Sequence, residues 1–312
     1  MEISILLAEQ ILAMFLTMAV GFGVVRAGLF KTEDSRIISN MVVYICNPCV
    51  VVHSFQIELT DDKIKGLMIA IGLSVVVHMV LIIGSEILSF IFHFNSIEKA
   101  SIIYTNAGYL VIPLVGAVLG EEWVFYTTAF ILVQTVLMWT HGVKLIGQEK
   151  ELNIRKILCN PNVIAMIIGI ALFALEIRLP TVVDSCVSGF GDMISPASMM
   201  VIGKVIGDVD LKRVFRQKRP YLICLLRLIV FPLIAVVAFA GLERSGIHPD
   251  AEYILMIVLI ATSAPAAAMI TQLAQIYGKD SRYASVINVM SVIFCIITMP
   301  VMVLSYEMLI AL

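Results

Sequence analysis

Long runs of apolar residues, separated by short polar breaks, divide this chain into ten segments. Each run holds about 20 residues or more, the length that a helix needs to cross the hydrocarbon core of a membrane. The pattern therefore predicts an all-α polytopic membrane protein with ten transmembrane helices. The predicted spans are residues 5–25, 36–56, 65–91, 99–119, 123–144, 157–177, 183–204, 220–241, 252–276 and 283–309.

Landmarks of the first half recur in the second half at a nearly constant interval. Pro113 and Pro265 are 152 positions apart (265 − 113), and Pro48 and Pro196 are 148 apart (196 − 48). Five predicted spans precede the polar segment 147–156 and five follow it. Because five is odd, the second copy enters the membrane from the opposite side. We predict two inverted five-helix repeats, residues 1–146 and 157–312, with residues 147–156 as a cytoplasmic linker, an arrangement typical of secondary transporters.

The basic residues test this topology independently. If the polar loops alternate between two sides, sixteen of the 21 Lys and Arg residues lie on one side, four lie on the other, and Arg227 is inside a span. The positive-inside rule makes the richer side cytoplasmic. Both termini are then outside, in a multi-pass protein of the plasma (inner) membrane. Since Met1-Glu2-Ile3-Ser4 lacks a basic region, the first apolar run is predicted to be a retained helix.

Composition supports the membrane class and argues against several functions. The chain is 60% hydrophobic and 14% charged, against roughly 45–50% and about 25% in soluble domains. A net charge of −2 without a basic tract predicts no nucleic-acid partner. No cofactor, metal or nucleotide motif is present, and the CxxC at Cys46–Cys49 lacks a partner pair. Ser263 with His78 is the one conceivable nucleophile–base pair at membrane depth, and no spacing joins them, so no enzyme is predicted.

Small or polar residues that close on a proline interrupt spans four and nine. The first interruption runs from Asn106 to Pro113 and includes Gly108 and Tyr109; the second is Thr262 to Ala266, with Ser263 and Pro265. Proline removes a backbone donor and clashes with the preceding turn. Irregular backbone at this depth persists only when it is buried in protein or lines a wet cavity. Two crossed, broken helices would offer their N-termini to an anion; two simple proline kinks are the alternative.

Four ionisable residues inside spans are candidates for function. Arg227 is about seven residues into span eight, and its fork of donors suits a substrate carboxylate. The alternative is a structural role, with Arg227 bound to helix-end carbonyls or to Asp192. Asp192, Glu86 and His78, the repeat counterpart of Arg227, are candidates for a coupling proton or sodium ion; the two acids could equally be ion-pair partners.

Uncharged polar residues follow the broken helices in spans five and ten. Gln134 and Ser291 occupy equivalent repeat positions, and Asn288 lies beside the second. These side chains could line a substrate cavity together with Tyr109, which could close over a ligand. They could instead form interhelical hydrogen bonds, worth roughly 0.6 kcal/mol each in membranes.

Several short motifs, in this order and spacing, carry a family likeness along essentially the whole chain. They are Asn47-Pro48, Asn106 with Pro113-Leu114, Asn160-Pro161-Asn162, Arg227-Leu228 before Pro232, and Ser263-Ala264-Pro265-Ala266. With these motifs the chain resembles the auxin efflux carrier family. The short polar segment between its halves is more similar to the bacterial, malate permease-like branch than to the plant carriers, which have a long loop there.

The resemblance implies an inverted-repeat fold of the bile acid symporter or sodium/proton antiporter type. It implies a scaffold of spans 1, 2, 6 and 7, a transport unit of spans 3–5 and 8–10 that moves as an elevator, and a homodimer. The implied substrate is a small organic anion, such as malate or an auxin-like acid, bound by both crossovers and span five. No cofactor is implied, and coupling to protons or sodium stays open.

Other transporters and other protein classes are the competing interpretations. A sodium-coupled bile acid symporter or a sodium/proton antiporter would place more acids near the crossing, and this crossing contains none. A membrane receptor, channel or enzyme is a further alternative, but the matched proline interruptions favour alternating access.

Overall fold

The fold comes from a computed structural model that describes residues 2–29, 34–147, 155, 158–207 and 209–311. Within those ranges every regular element is a helix, and one isolated antiparallel bridge joins Thr105 to Ala266. The predicted all-α class is confirmed. Most of the predicted linker at 147–156 lies outside the described residues, and the division into repeats 1–146 and 157–312 stays a prediction.

The described part of the first half contains eight α-helices, some of them joined by single π turns. They are α1 (Glu2–Arg26), α2 (Asp34–Met41), α3 (Asn47–Ser54), α4 (Asp61–Phe92), α5 (Ser96–Ile103), α6 (Ile112–Val118), α7 (Val124–Leu137) and α8 (Val143–Gly147). A 3₁₀ turn at Glu121–Trp123 leads into α7. The π turns before α3, α6 and α8 are Val42–Cys46, Ala107–Val111 and Met138–Gly142.

The described part of the second half is also helical. Its helices are α9 (Pro161–Ala174), α10 (Thr181–Asp192), α11 (Ile194–Gly207), α12 (Leu211–Phe215), α13 (Arg219–Leu225), α14 (Phe231–Glu243), α15 (Ala251–Ser263), α16 (Ala268–Ile276) and α17 (Ser281–Ile310). A π turn at Leu226–Val230 joins α13 to α14.

Six helical stretches among the described residues are long and apolar enough to cross a membrane. They are Ile5–Arg26, Ile37–Ser54, Asp61–Phe92, Glu121–Gly147, Arg219–Glu243 and Ser281–Ile310. Three further apolar helices are shorter, namely Ala107–Val118, Pro161–Ala174 and Ala251–Ser263. A polytopic helical membrane protein is thus confirmed, whereas the count of ten spans and the inversion of the repeat stay predictions.

Prolines explain three of the π turns. Pro48, Pro113 and Pro232 each lie in the first turn of a helix, two residues after a π turn ends. A proline ring clashes with the carbonyl one turn earlier and lacks the N–H that would bond to it. Widening that turn relieves the clash and keeps the helix continuous. These prolines therefore bend their helices without breaking them.

The two real breaks in the helices lie in the core. Every residue from 100 to 107 and from 254 to 267 is buried. Extended backbone at membrane depth needs such burial, because lipid offers no hydrogen-bonding partner.

Two glycines let α1 and α11 pack with their backbones in contact. A Cβ atom added at Gly203 would overlap the Met18 carbonyl oxygen, and one at Gly21 would lie 2.7 Å from that of Met200. Small residues at such positions are how membrane helices achieve close packing. This contact joins α1 tightly to α11.

Candidate functional site

The two helix breaks lie against each other. Helix α5 ends at Ile103 and α15 ends at Ser263, and the extended residues that follow each helix run antiparallel. The Asn106 N–H donates to the Pro265 carbonyl at 2.8 Å, and the Ala267 N–H donates to the Tyr104 carbonyl at 3.0 Å. Each break thus supplies the partners for backbone groups that the other break releases.

Gln134, on α7, satisfies the extended backbone of the first break. Its Oε1 accepts from the Thr105 N–H at 2.8 Å, and its Nε2 donates to the Thr105 carbonyl at 2.9 Å. The Thr105 hydroxyl donates to the same Oε1 at 2.9 Å. The Gln134 side-chain amide thus pairs with the Thr105 backbone as a residue of a neighbouring β-strand would. Of the two roles considered for Gln134, this structure shows the interhelical hydrogen bond.

Asn288 and Ser291, on α17, form the corresponding hydrogen bonds with the backbone of the second break. Asn288 Nδ2 donates to the Ala266 carbonyl at 2.6 Å, and the Ala266 N–H donates to Ser291 Oγ at 3.0 Å. Ala266 is the bridge partner of Thr105. Helices α7 and α17 therefore each hold one of the two unwound residues, Thr105 and Ala266.

Arg227 binds the C-terminal ends of both broken helices. Its side chain is fully buried in the π turn Leu226–Val230. Nε and Nη2 donate to the Ala264 carbonyl at 3.1 and 3.0 Å, and Nη1 donates to the Ile102 carbonyl at 3.1 Å. The guanidinium charge compensates the negative ends of two helix dipoles. Of the two structural pairings considered, this is the one with helix-end carbonyls and not the one with Asp192.

After this accounting, several buried polar atoms at or beside the breaks have no hydrogen-bond partner among the described residues. They include Asn106 Nδ2, Ser263 Oγ and Asn47 Oδ1, and also His78 Nε2, on α4 close to Arg227 and Gln134. Buried polar groups are nearly always paired, so each such atom calls for a ligand, water or functional explanation. These atoms, rather than the amide of Gln134, are the free polar groups of the candidate site.

The helices that resume after the breaks begin without side-chain caps. The turn that starts at Ala107 follows Asn106, and α16 follows Ala267; neither preceding residue caps the helix with its side chain. The first N–H groups of a helix need an outside acceptor and carry a partial positive charge. Both breaks therefore offer hydrogen-bond donors to an anion.

Gly108 lies where the first break meets span two. A Cβ atom added at Gly108 would be 3.2 Å from Asn47 Nδ2. Tyr109, next to it, is half-buried, and Pro113 lies further on, in α6, buried against a cavity. The absence of a side chain at Gly108 thus permits the close approach of Asn47.

That cavity has a volume of about 330 Å³ and lies between α6 on one side and α3 and α10 on the other. The wall of this cavity is mostly apolar, and its polar residues are Gln10, His53, Ser54, Glu121, Ser188, Asp192 and Ser195. Asp192 is exposed to this cavity and does not approach Arg227. The cavity places Pro113 and Asp192, but not the other predicted site residues, on one surface.

The remaining ionisable candidates lie elsewhere. Glu86 forms an ion pair with Lys99, with Oε2 and Nζ 2.6 Å apart. His78 is fully buried, with Nδ1 2.7 Å from the Ser74 carbonyl oxygen and its ring 4.8 Å from that of Phe130. Glu86 thus adopts the ion-pair role that was its alternative, and His78 bonds within its own helix.

The sequence interpretation missed a buried cluster around Glu98. Arg219 Nε donates to Glu98 Oε1 at 2.8 Å, the Tyr283 hydroxyl donates to the same oxygen at 2.7 Å, and the Asn95 N–H donates to Oε2. Burial opposes ionisation of this carboxyl, but these donors outweigh it, and the pKa of Glu98 lies below its usual range. The cluster joins the first turns of α5, α13 and α17, and its partners are too far apart in sequence to be recognised from spacing.

The structure predicts different effects for substitution of the two prolines. Pro265 lies inside the second break, and its carbonyl accepts from Asn106, whereas Pro113 lies in α6, beyond the first break. Pro265→Ala adds an N–H that favours rejoining α15 to α16, so we expect transport to fall strongly. Pro113→Ala relaxes only a π turn and should have the smaller effect. Initial uptake rates in vesicles with equal protein content measure the difference, and a larger loss in Pro113→Ala would contradict it.

Comparison with known proteins agrees with the sequence resemblance. The sequence model of the family described as membrane transport protein matches residues 6–154 and again residues 149–303. No curated protein matches the chain. The two matches span nearly all of the chain and lie on its two halves. The chain therefore belongs to the membrane transport protein family, the auxin efflux carriers that its motifs resemble.

Proposed function

We propose that this protein is a secondary active transporter that moves a small organic anion across the plasma membrane by alternating access. The observation that carries the proposal is the pair of facing helix breaks, each followed by an uncapped helix N-terminus. Family membership supports a transporter. The choice of an anion rests on the electrostatics of the breaks.

Arg227 compensates the partial negative charges at the breaks and leaves the partial positive charges, which favours binding of an anion. The C-terminal ends of α5 and α15 carry partial negative charge, and Arg227 already compensates both. The partial positive charges at the turn beginning with Ala107 and at α16 are left for a ligand. A carboxylate can accept from these N–H groups, from Asn106 Nδ2 and from Ser263 Oγ.

The contacts within the protein are consistent with an elevator motion, because they form one group in the proposed scaffold and another in the proposed moving unit. We propose a scaffold of spans 1, 2, 6 and 7, in which α1 and α11 pack at Gly21 and Gly203. Spans 3–5 and 8–10 form the moving unit, whose breaks are tied together by Arg227, Gln134, Asn288 and Ser291. Asn47 and Gly108 meet where the two units touch. The proposal includes ten spans in inverted repeats, both termini outside, and a homodimer.

The decisive experiment is uptake by purified protein in liposomes. A panel of mono- and dicarboxylates, including malate and an aromatic acetic acid, is offered under imposed proton, sodium and voltage gradients. We expect accumulation of at least one carboxylate and a dependence on one of the gradients. Uptake of neutral or cationic solutes, with none of any carboxylate, would rule out the anion transporter. Liposomes with Ser263→Ala protein serve as a matched control.

A further inference from the structure

His53 stands between two carboxylates that belong to different parts of the fold. Its Nδ1 is 3.0 Å from Asp184 Oδ1, on α10, and its Nε2 is 3.8 Å from Glu121 Oε2, in the 3₁₀ turn before α7. The His53 side chain is 29% exposed and that of Glu121 is 73% exposed, so neither group is sealed in the protein core. From the sequence, His53 was recognisable only as a histidine near the end of predicted span two.

The contact with Asp184 determines whether the Nε2 atom of a neutral His53 faces Glu121 with a hydrogen or with a lone pair. A carboxylate can only accept, so Nδ1 must carry the hydrogen that it donates to Asp184. In a neutral imidazole the other nitrogen then has a lone pair, which faces the Glu121 carboxylate and repels it. A proton bound at Nε2 turns this repulsion into a charge-assisted attraction.

We propose that Nε2 of His53 is a binding site for a proton from the outer solution, and that its occupancy holds the moving unit in the arrangement of this structure. The inference rests on the proposed elevator, in which His53 and Asp184 belong to the scaffold and Glu121 to the moving unit. When the moving unit shifts, Glu121 leaves and the proton binds more weakly. By linkage, protonation must favour the arrangement in which Glu121 is near.

The surroundings of His53 favour a cation at this place. Asp184 and Glu121 face the imidazole, and Asp192, from α10, lines the same cavity. No Lys or Arg is among the residues that line this cavity. Histidine is the side chain whose ordinary charge change falls between pH 5 and 8.

Distance measurement between spin labels tests the site without any substrate. Cysteines replace Val182, at the outer end of α10, and Ser245, in the loop after α14, in protein whose Cys49, Cys159 and Cys186 are serine; the other three cysteines are buried. Pulsed electron resonance in nanodiscs at pH 5.5 and 8.0 gives the populations of the two arrangements. We expect their ratio to shift by roughly two- to fivefold, the range that exposed ion pairs support.

Variants identify the groups responsible. His53→Gln and Glu121→Gln should abolish the pH shift, whereas Glu122→Gln, the neighbouring and exposed acid, should retain it. Melting curves at pH 7 establish that all the variants are folded. A pH shift that survives in His53→Gln, or the same single distance at both pH values, overturns the proton site. The uptake assay decides the proposed function separately, since carboxylate uptake can persist in either case.

Discussion

Arg227→Met is expected to lower the free energy of unfolding by about 2–6 kcal/mol, since it leaves two buried carbonyls unpaired at about 1–3 kcal/mol each. Those carbonyls are Ala264 and Ile102, at the ends of the two broken helices. Arg227→Lys keeps the charge but can reach only one of them, so its loss should be smaller. Thermal unfolding of the purified protein in one detergent measures both changes.

Arg244→Met is the matched control for this prediction. Arg244 also donates to a backbone carbonyl, that of Leu309 at 2.8 Å, but it is exposed at the surface. Its loss should change the melting temperature little. If Arg227→Met instead melts like the unaltered protein and loses only carboxylate binding, Arg227 is the substrate anchor and not a clamp. Equal destabilisation by the two methionine variants would contradict the special role of the buried site.

The sequence located the helix breaks but not their extent. Proline chemistry marks Pro113 and Pro265 as candidate interruptions, because the ring lacks an N–H and clashes with the preceding turn. In the structure only Pro265 lies inside a break, whereas Pro113 lies in α6. The unwinding at Tyr104 begins nine residues before Pro113. It is stabilised by Gln134, 29 positions away in the chain, and by the strand-like pairing with Ala267. Pairings over such distances leave no local pattern, so the first break could be predicted only as a region.

The roles of the polar residues were harder to predict than their positions. Arg227, Gln134 and Ser291 were recognised because polar groups are costly inside a membrane. Their partners are backbone carbonyls and N–H groups, which every residue carries and which therefore give no signal in the sequence. Depth alone could not decide between a substrate contact and a structural bond. For His53 the reason differs, since its partners lie 68 and 131 positions along the chain (121 − 53 and 184 − 53).

Ser263→Ala is expected to weaken carboxylate binding roughly tenfold, the effect of about 1.5 kcal/mol from a hydrogen bond to a charged group. The protein itself should be unchanged in stability or more stable by about 1 kcal/mol, because a buried hydroxyl without a partner costs folding free energy. Asn106→Leu should act in the same direction, since its Nδ2 is also buried and unpaired. Binding titrations and melting curves on the same samples measure the two effects.

Thr262→Val provides the adjacent control that separates a ligand contact from a folding contact. The Thr262 hydroxyl is buried like that of Ser263, but it donates to the Val258 carbonyl at 2.6 Å within its own helix. Valine keeps its shape, so affinity should stay and stability should change only slightly. A loss of stability without a loss of binding in Ser263→Ala would show that Ser263 has a protein partner. If the Ser263 hydroxyl is kept unpaired for the ligand, removing it should raise the free energy of unfolding and lower the affinity for the carboxylate. The two changes differ in sign because the unpaired hydroxyl costs free energy in folding and gains a hydrogen bond in binding.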